Sequence, residues 1–417
     1  MNSAVAALIG LVLAIVLIIK KLQPVYSLMI GALAGGLLAG WGLETTVSTM
    51  IGGVNEITPA ILRILAAGVL SGVLIKTGAA ASISHSIVKT LGRKHVYLAV
   101  ALSTMMLTGV GVFIDVAVIT VAPIALLLAS RLSLSRASLL LAMIGGGKCG
   151  NIMSPNPNTI IAAENYGAPL SSVMGAGVIP AVIGLVVTVY LVVPLMSKKK
   201  DESLYFEEVK EESLPSFLAS ISGPLVAVIL LSLRPICDIK IDPVVALPVG
   251  GIVGLLATRS WRNSTECLSY GLEKMSTVAI LLVGTGTIAG IIKASEIKDV
   301  LIAMLSGWEA GGVVMAPLSG SLMSAATAST TAGATIASAS FAQTALAAGV
   351  ASVWGASMTN AGATVLDHLP HGSFFHATGG SVGMQIKERM RLIPYETIIG
   401  LVLTFLSLGM YYLTTLF

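Results

Sequence analysis

Residues 143–160 read MIGGGKCGNIMSPNPNTI, and they break an otherwise apolar helix pattern with glycines, one lysine, asparagines and two prolines. A helix beginning at Ser135 runs well to Gly145 and then falters. Pro155 and Pro157 each withdraw a backbone N–H, while Asn151, Asn156 and Asn158 offer side-chain amides in apolar surroundings. In a water-soluble chain this would be an ordinary loop. At bilayer depth, irregular backbone persists only where it is buried in protein or lines a polar cavity.

Composition places it at that depth. The 417 residues are 55% hydrophobic and 11% charged, against about 25% charged in a soluble domain. Apolar runs of seventeen or more residues can cross a hydrocarbon core of ~30 Å. The 44 glycines suit close helix contact in lipid. The expectation is an all-α polytopic membrane protein. Its net charge of +4 sits at helix ends and is no nucleic-acid signal. Cys149, Cys237 and Cys267 are too scattered for a disulfide framework or a zinc site. The N-terminus lacks a basic region and a cleavage site, so Ser3–Ile19 reads as a retained first span. With no large soluble domain, nucleotide-driven transport by this chain is disfavoured, and no cofactor is expected.

Spans are expected at about 3–19, 24–41, 58–77, 172–194, 216–233, 243–258, 276–293 and 393–415. Residues 44–57 read as a loop or interfacial segment, and a linker with His85, Lys89, Arg93, Lys94 and His95 follows the third span. The apolar stretch 96–130 is interrupted by GVGVFID (109–115); it is one long span, two short ones or a re-entrant hairpin. Residues 312–340 hold the small-residue run SAATASTTAGAT (324–335), and 342–384 are interrupted by TNAGATVLDHLPHG (359–372). The charged run 197–215 reads as a solvated linker between halves.

The two halves match. Pro24, Leu28, Gly31, Gly35 and Leu37 correspond to Pro243, Leu247, Gly250, Gly254 and Leu256 at an offset of 219. Further matches follow in the same order: 68–78 with the segment around Gly286–Ser295, 96–130 with 312–340, and Pro157-Asn158 with Pro370-His371. The expected domains are therefore a first repeat (1–196), a cytoplasmic linker (197–215) and a second repeat (216–417). Each repeat carries about five transmembrane helices, a re-entrant hairpin and a discontinuous helix. An odd number of crossings per repeat inverts the second relative to the first. With the N-terminus outside, eighteen Lys/Arg fall inside and five outside (63, 234, 240, 293 and 298), with Lys148 left in the membrane. Both termini are then extracytoplasmic, in the cell (inner) membrane. Paired discontinuous helices in inverted repeats are a signature of secondary transporters, with the substrate site between them.

Isolated polar groups inside the bilayer are functional by default. Asp115 is the sole acid between Glu56 and Glu164, and Asp367 the sole acid between Glu309 and Glu388. Each reads as a proton or cation carrier, or as a helix cap or partner for a buried donor. Lys148 either pairs with one of these acids or receives an anion. The run GGGKCG fails as a phosphate loop, because Ala142 and Cys149 stand where Gly and Ser/Thr are required. Asn360, Thr364, Asp367, His368 and His371 crowd the second break; proton relay or substrate hydrogen bonding fits them better than a metal site. Ser329, Thr330 and Thr331 supply hydroxyls for a substrate or Na⁺, although small residues also serve close packing. Half-helix N-termini favour a carboxylate.

The segments FIDVAVITVAPIALLLASRLSLSRASLLLA (113–142), PNPNTI (155–160) and VLDHLPHGSFF (365–375) carry a resemblance. In them the chain resembles the gluconate permease (GntP) family, within the wider ion-transporter superfamily. That resemblance implies proton-linked uptake of gluconate or a related small carboxylate, a homodimer, and an elevator-like moving domain built from hairpins and broken helices. SPNPNT stands where a PPHPGP-like run is expected in gluconate carriers, which leaves the carboxylate open. The LDHLPHG segment also resembles citrate-type carriers.

The expected function is thus proton-coupled symport of a small organic carboxylate. A Na⁺-coupled symporter and a cation/proton antiporter are the alternatives, and no nucleic-acid partner is expected. Substrate ligands are expected among Lys148, Asn151, Asn156, Asn158, Thr159, Ser329, Thr330, Thr331, Asn360 and His371. Asp115, Asp367 and His368 are expected to couple protons. An intramembrane enzyme lacks a convincing nucleophile–base or metal set.

Overall fold

The computed structural model describes residues 2–92, 95–132, 134–197, 214–237, 239, 241–296, 311–370 and 372–416. The charged linker lies almost wholly outside these, as does His371. Among the described residues the secondary structure is helical.

The first half comprises α1 (Ser3–Ile19), α2 (Pro24–Leu38), α3 (Leu43–Lys76), α4 (Ala79–Leu91), α5 (Val96–Gly109), α6 (Ile114–Leu132), α7 (Arg136–Asn151), α8 (Pro157–Asn165), α9 (Leu170–Val187) and α10 (Val193–Ser197), the last two joined by a π-helical turn. The second half comprises α11 (Phe217–Cys237), α12 (Pro243–Ala257), α13 (Ser264–Ala294), α14 (Gly311–Thr327), α15 (Thr330–Ala347), α16 (Ser352–Gly362), α17 (Ser373–Ser381), α18 (Ile386–Met390) and α19 (Ile393–Leu416). Among the described residues, four stretches are long and apolar enough to cross a bilayer, namely Leu43–Lys76, Leu170–Met196, Trp261–Ala294 and Ile386–Thr415, and α1, α2, α5, much of α11, and α12 are shorter apolar helices. This is the make-up of a polytopic α-helical membrane protein.

Three segments left outside the expected spans are helical. Residues 44–57 are not a loop but the first turns of α3. Their buried residues, Thr46, Met50, Gly53 and Ile57, recur every three or four positions, and the polar groups lie on the remaining face. The same holds for 264–275, which open α13. Residues 79–91, read as linker, form α4. Its start is set by Gly78 at φ +75, a backbone region that disfavours side chains.

The helix from Ser135 does not falter at Gly145 but continues to Asn151. Its glycines cost helix propensity but let α7 lie directly on α5. A Cβ at Gly146 would meet the carbonyl of Ala101, and one at Gly150 the backbone of Met105 and the Thr108 hydroxyl. The break is therefore short, 152–156. It ends where Asn156 caps α8, its Oδ1 accepting from the Thr159 N–H at 3.1 Å, and Pro157 takes the first helical position.

Helices α1, α2, α3, α11, α12 and α13 pack on one another as one unit, and α5–α9 and α14–α19 as another. At the centre of the first unit α3 and α13 cross in antiparallel fashion through glycine. Gly53 faces Gly286 and Gly290, while Gly68 and Gly72 face Gly271 and Cys267. In α1/α2, Gly31 meets Gly10 and Ala14; in α11/α12, Gly250 meets Gly223 and Ala227. Within the second unit, α5/α6 and α14/α15 are helix–turn–helix hairpins. Ile114 and Thr330, Arg136 and Ser352, Pro157 and Ser373, and Leu170 and Ile386 all start helices, each pair 216 residues apart.

Candidate functional site

The two hairpin turns, the end of α7 and the start of α17 meet the α13 wall around a cavity of about 550 Å³. Its lining includes Asp115 from the first turn, Asn151 from the last turn of α7, Ser329, Thr330 and Thr331 from the second turn, and Lys274 from α13. Four helices begin at this wall. Val25, Val116, Ala332 and Phe374 lie in the first turns of α2, α6, α15 and α17, and all four line the cavity. Helix N-termini carry unsatisfied N–H groups and a partial positive charge. At α6 that charge is met by Asp115, whose Oδ1 accepts from the Val116 N–H at 2.9 Å. At α15 the cap is Ser329, accepting from the Ala332 N–H at 3.3 Å. At α17 the capping position is Gly372, which offers no side-chain acceptor.

Asn151 is 4% exposed, and its Nδ2 has no hydrogen-bond partner among the described residues. Its Oδ1 and carbonyl accept from Asn156 Nδ2, which orients the amide. A buried donor without an acceptor costs about 1–3 kcal/mol. Asn151 also lines the cavity, so a small turn of its side chain would offer this buried donor to a ligand oxygen there.

The other amides form a closed network beneath. Asn158 Nδ2 donates to Asn360 Oδ1 at 2.8 Å, and Asn360 Nδ2 donates to Thr159 Oγ1 at 3.0 Å. Thr159 Oγ1 donates to Asn156 Oδ1 at 3.1 Å. Thr331 Oγ1 joins Asn158 Oδ1 at 3.3 Å, linking the second hairpin turn to the first broken helix. Asn156, Asn158, Thr159 and Asn360 are thus brought together, but as a brace between the two breaks and not in the cavity lining.

Lys148 is also absent from the lining. It is fully buried, and its ammonium meets Thr364 O at 2.5 Å, Asp367 Oδ1 at 2.7 Å and His368 Nδ1 at 3.1 Å. His368 Nδ1 also lies 3.0 Å from Asp367 Oδ1, and its Nε2 lies 3.0 Å from Ile393 O and 3.1 Å from Thr397 Oγ1, so the ring bridges the buried pair and α19. Asp367 Oδ2 accepts from Thr330 Oγ1 at 2.6 Å. Thr330 is therefore the connection between the cavity and the buried charges.

Three groups escaped the sequence reading. Lys274 lies just outside the expected span 276–293, in residues that open α13. Arg389 lies outside the expected spans, and Glu396 stands at the start of the span expected at 393–415. They form a buried ion pair, with Arg389 also donating to Thr378 Oγ1 at 3.2 Å and lying over the Phe375 ring. This pair anchors α17, whose first turn lines the cavity.

The comparisons with known proteins agree with this architecture. The profile of the GntP family permease matches residues 3–416. An uncharacterized transporter of Haemophilus influenzae is 56% identical over 408 residues, covering 97% of each chain. A high-affinity gluconate transporter of Escherichia coli is 23% identical over 355 residues, covering 77% of this chain and 81% of its own. The crystal structure of the Alcanivorax borkumensis YdaH transporter, described as having an unusual topology, superposes with a TM-score of 0.64 at 15% identity, covering 88% of both chains. That likeness concerns the fold. These matches and the helical architecture make the chain a transporter and not an enzyme, and it belongs to the GntP family of permeases.

Proposed function

We propose that this chain is a proton-coupled symporter that takes up a small hydroxylated carboxylate, of the gluconate kind, across the cell (inner) membrane. The observation that carries the reading is the unpartnered amide of Asn151 at a cavity where the α15 and α17 N-termini converge. Donors without acceptors call for an anion, and Ser329, Thr330 and Thr331 suit its hydroxyls. Lys274 adds a positive charge on the α13 side. The gluconate transporter among its relatives supports the substrate class.

Asp115 supplies the coupling. An ionised carboxylate beside the α6 N-terminus repels an arriving carboxylate in a wall of low dielectric. Protonating Asp115 removes that repulsion, so substrate and proton enter together. Asp367, held by Lys148 and Thr330, is the second titratable acid, and His368 lies between it and α19.

The helix starts repeated at 216 residues support the division into repeats 1–196 and 216–417 about a linker at 197–215. The contacts Gly10–Gly31 and Gly223–Gly250 support it too. At the α3/α13 crossing, Gly53 against Gly286 and Gly68 against Gly271 exchange under an offset of 218. That is what two inverted copies related by a two-fold axis require. In this reading α1–α3 and α11–α13 form a scaffold, and the hairpins and broken helices move against it as an elevator. A homodimer and extracytoplasmic termini complete the reading.

The test is uptake of labelled gluconate and related sugar acids into proteoliposomes. An imposed inward proton gradient should drive accumulation without Na⁺. Accumulation that followed a Na⁺ gradient and ignored pH would assign the coupling to Na⁺.

A further inference from the structure

On the other side of the scaffold seam, one guanidinium is shared between two carboxylates. Arg63 lies within the apolar stretch of α3, next to Leu62, Ile64 and Leu65. Its Nε contacts both Asp242 oxygens, at 3.3 and 3.2 Å, and its Nη2 donates to Asp242 Oδ2 at 2.9 Å. Asp242 caps α12, accepting from the Val244 N–H at 2.9 Å. Arg63 and Asp242 therefore belong to the same packed unit. The remaining nitrogen, Nη1, pairs with Glu164. Glu164 is in the last turn of α8, in the other unit, and α8 follows the break that α7 enters at Asn151. A cavity of about 480 Å³ adjoins the three side chains.

The two contacts differ in kind. The fork-like grip on Asp242 stays within one unit and keeps the guanidinium compensated. The single contact to Glu164 spans the seam. It can open without stranding Arg63, because Asp242 remains, and without stranding Glu164, whose side chain is 28% exposed and can hydrate. A pair of this design holds one arrangement of the two units and releases it at low cost.

We infer that Arg63 and Glu164 form a releasable latch that favours the arrangement described here, in which the Asn151 cavity is open. This rests on the proposed alternating movement of the two units. In the opposite arrangement α8 moves along α3, and Glu164 leaves Arg63 while Asp242 stays. Arg63 and Asp242 are then fixed features of the scaffold, and Glu164 is the moving half.

The test uses the full-length chain carrying Thr277→Cys, a cavity-lining position on α13, reconstituted in liposomes and labelled with a membrane-impermeant maleimide. The chain without this substitution gives the background. Adding Glu164→Gln should slow labelling of the introduced thiol by several-fold. Glu164→Asp, which keeps the charge on a shorter arm, should give an intermediate rate. Asp242→Asn retains a capping side chain and leaves the latch in place, so it should not slow labelling. Unchanged labelling with Glu164→Gln, while gluconate or a pH gradient still alters labelling of the chain carrying Thr277→Cys alone, overturns the latch and leaves alternating access standing. Labelling that responds to no variant, substrate or gradient overturns both.

Discussion

Lys148 Nζ lies 2.7 Å from Asp367 Oδ1, and the two side chains are 0% and 1% exposed. The lysine belongs to α7 and the aspartate to the break after α16, so one buried ion pair fastens the two broken helices together. Breaking such a pair costs about 3–5 kcal/mol, because the surviving buried charge loses its counter-charge. Lys148→Ala should therefore lower stability first and substrate affinity only in consequence. Lys148→Gln combined with Asp367→Asn should recover part of the loss. Thermal unfolding in detergent measures both; a Lys148→Ala protein as stable as the parent contradicts the assignment.

Asn151 acts the other way. Its free Nδ2 makes no contact that folding needs, whereas a bound oxygen would gain it. Asn151→Ala should weaken carboxylate binding about tenfold or more, from a lost hydrogen bond to a charged group of about 1.5–3 kcal/mol. Titration of the purified protein with gluconate gives the affinity. An unchanged dissociation constant in a folded variant removes Asn151 from the site.

Asp115→Asn makes the neutral form permanent. Net uptake should lose its dependence on an imposed pH gradient, while exchange of labelled for unlabelled substrate continues. In the parent chain uptake should rise as the outside is acidified and fall as Asp115 ionises. A variant that still accumulates substrate in response to a proton gradient moves the coupling elsewhere, with Asp367 next in line.

The second hairpin turns through Ala328 at φ +46, a left-handed conformation that costs a residue with a Cβ about 1–2 kcal/mol. The first hairpin uses Gly111 at φ +96. Ala328→Gly should stabilise the protein by about 0.5–1 kcal/mol, net of the added freedom of the unfolded chain. Gly372 lies against Ala328, where a Cβ would meet both its carbonyl oxygen and its Cβ. Gly372→Val should therefore push the hairpin turn away from the α17 N-terminus. Transport should fall more than stability, read by uptake against melting temperature.

Apolar length alone made α1, α2, α12 and α19 legible, because their runs are continuous and bounded by proline or charge. The interrupted segments were legible as interruptions, since prolines and amides have no other reason to stand there. Amphipathic helix inside the protein was not. Polar residues at 44–57 and 264–275 suggest water when read as a string, yet they occupy one face of helices whose other face is buried. That error hid Lys274. The buried groups showed a second limit. Sequence isolates Lys148, Asp367 and Asn151 as costly, but whether a costly group faces a partner or a cavity depends on segments 216 residues away. Lys148 had partners waiting; Asn151 had none for Nδ2 among the described residues. Arg63 and Glu164, 101 residues apart, carried no local sign that they would meet.

The glycine crossing of α3 and α13 has a consequence for leakage. Backbone lies against backbone at Gly53 and again at Gly68 and Gly72, leaving no room there for a Cβ, and buried side chains such as Ile57 and Ile64 fill the stretch between, so there is no path for a file of water. A symporter driven by a proton gradient, as proposed for this chain, must not short-circuit it, and this seam is where the two halves of the proposed scaffold join. Contact between main chains makes the joint an insulator. Substituting Gly53 or Gly271 by Val would pry it apart, costing about 1–3 kcal/mol of stability. It should also make empty proteoliposomes lose an imposed pH gradient faster, as reported by a trapped pH-sensitive dye.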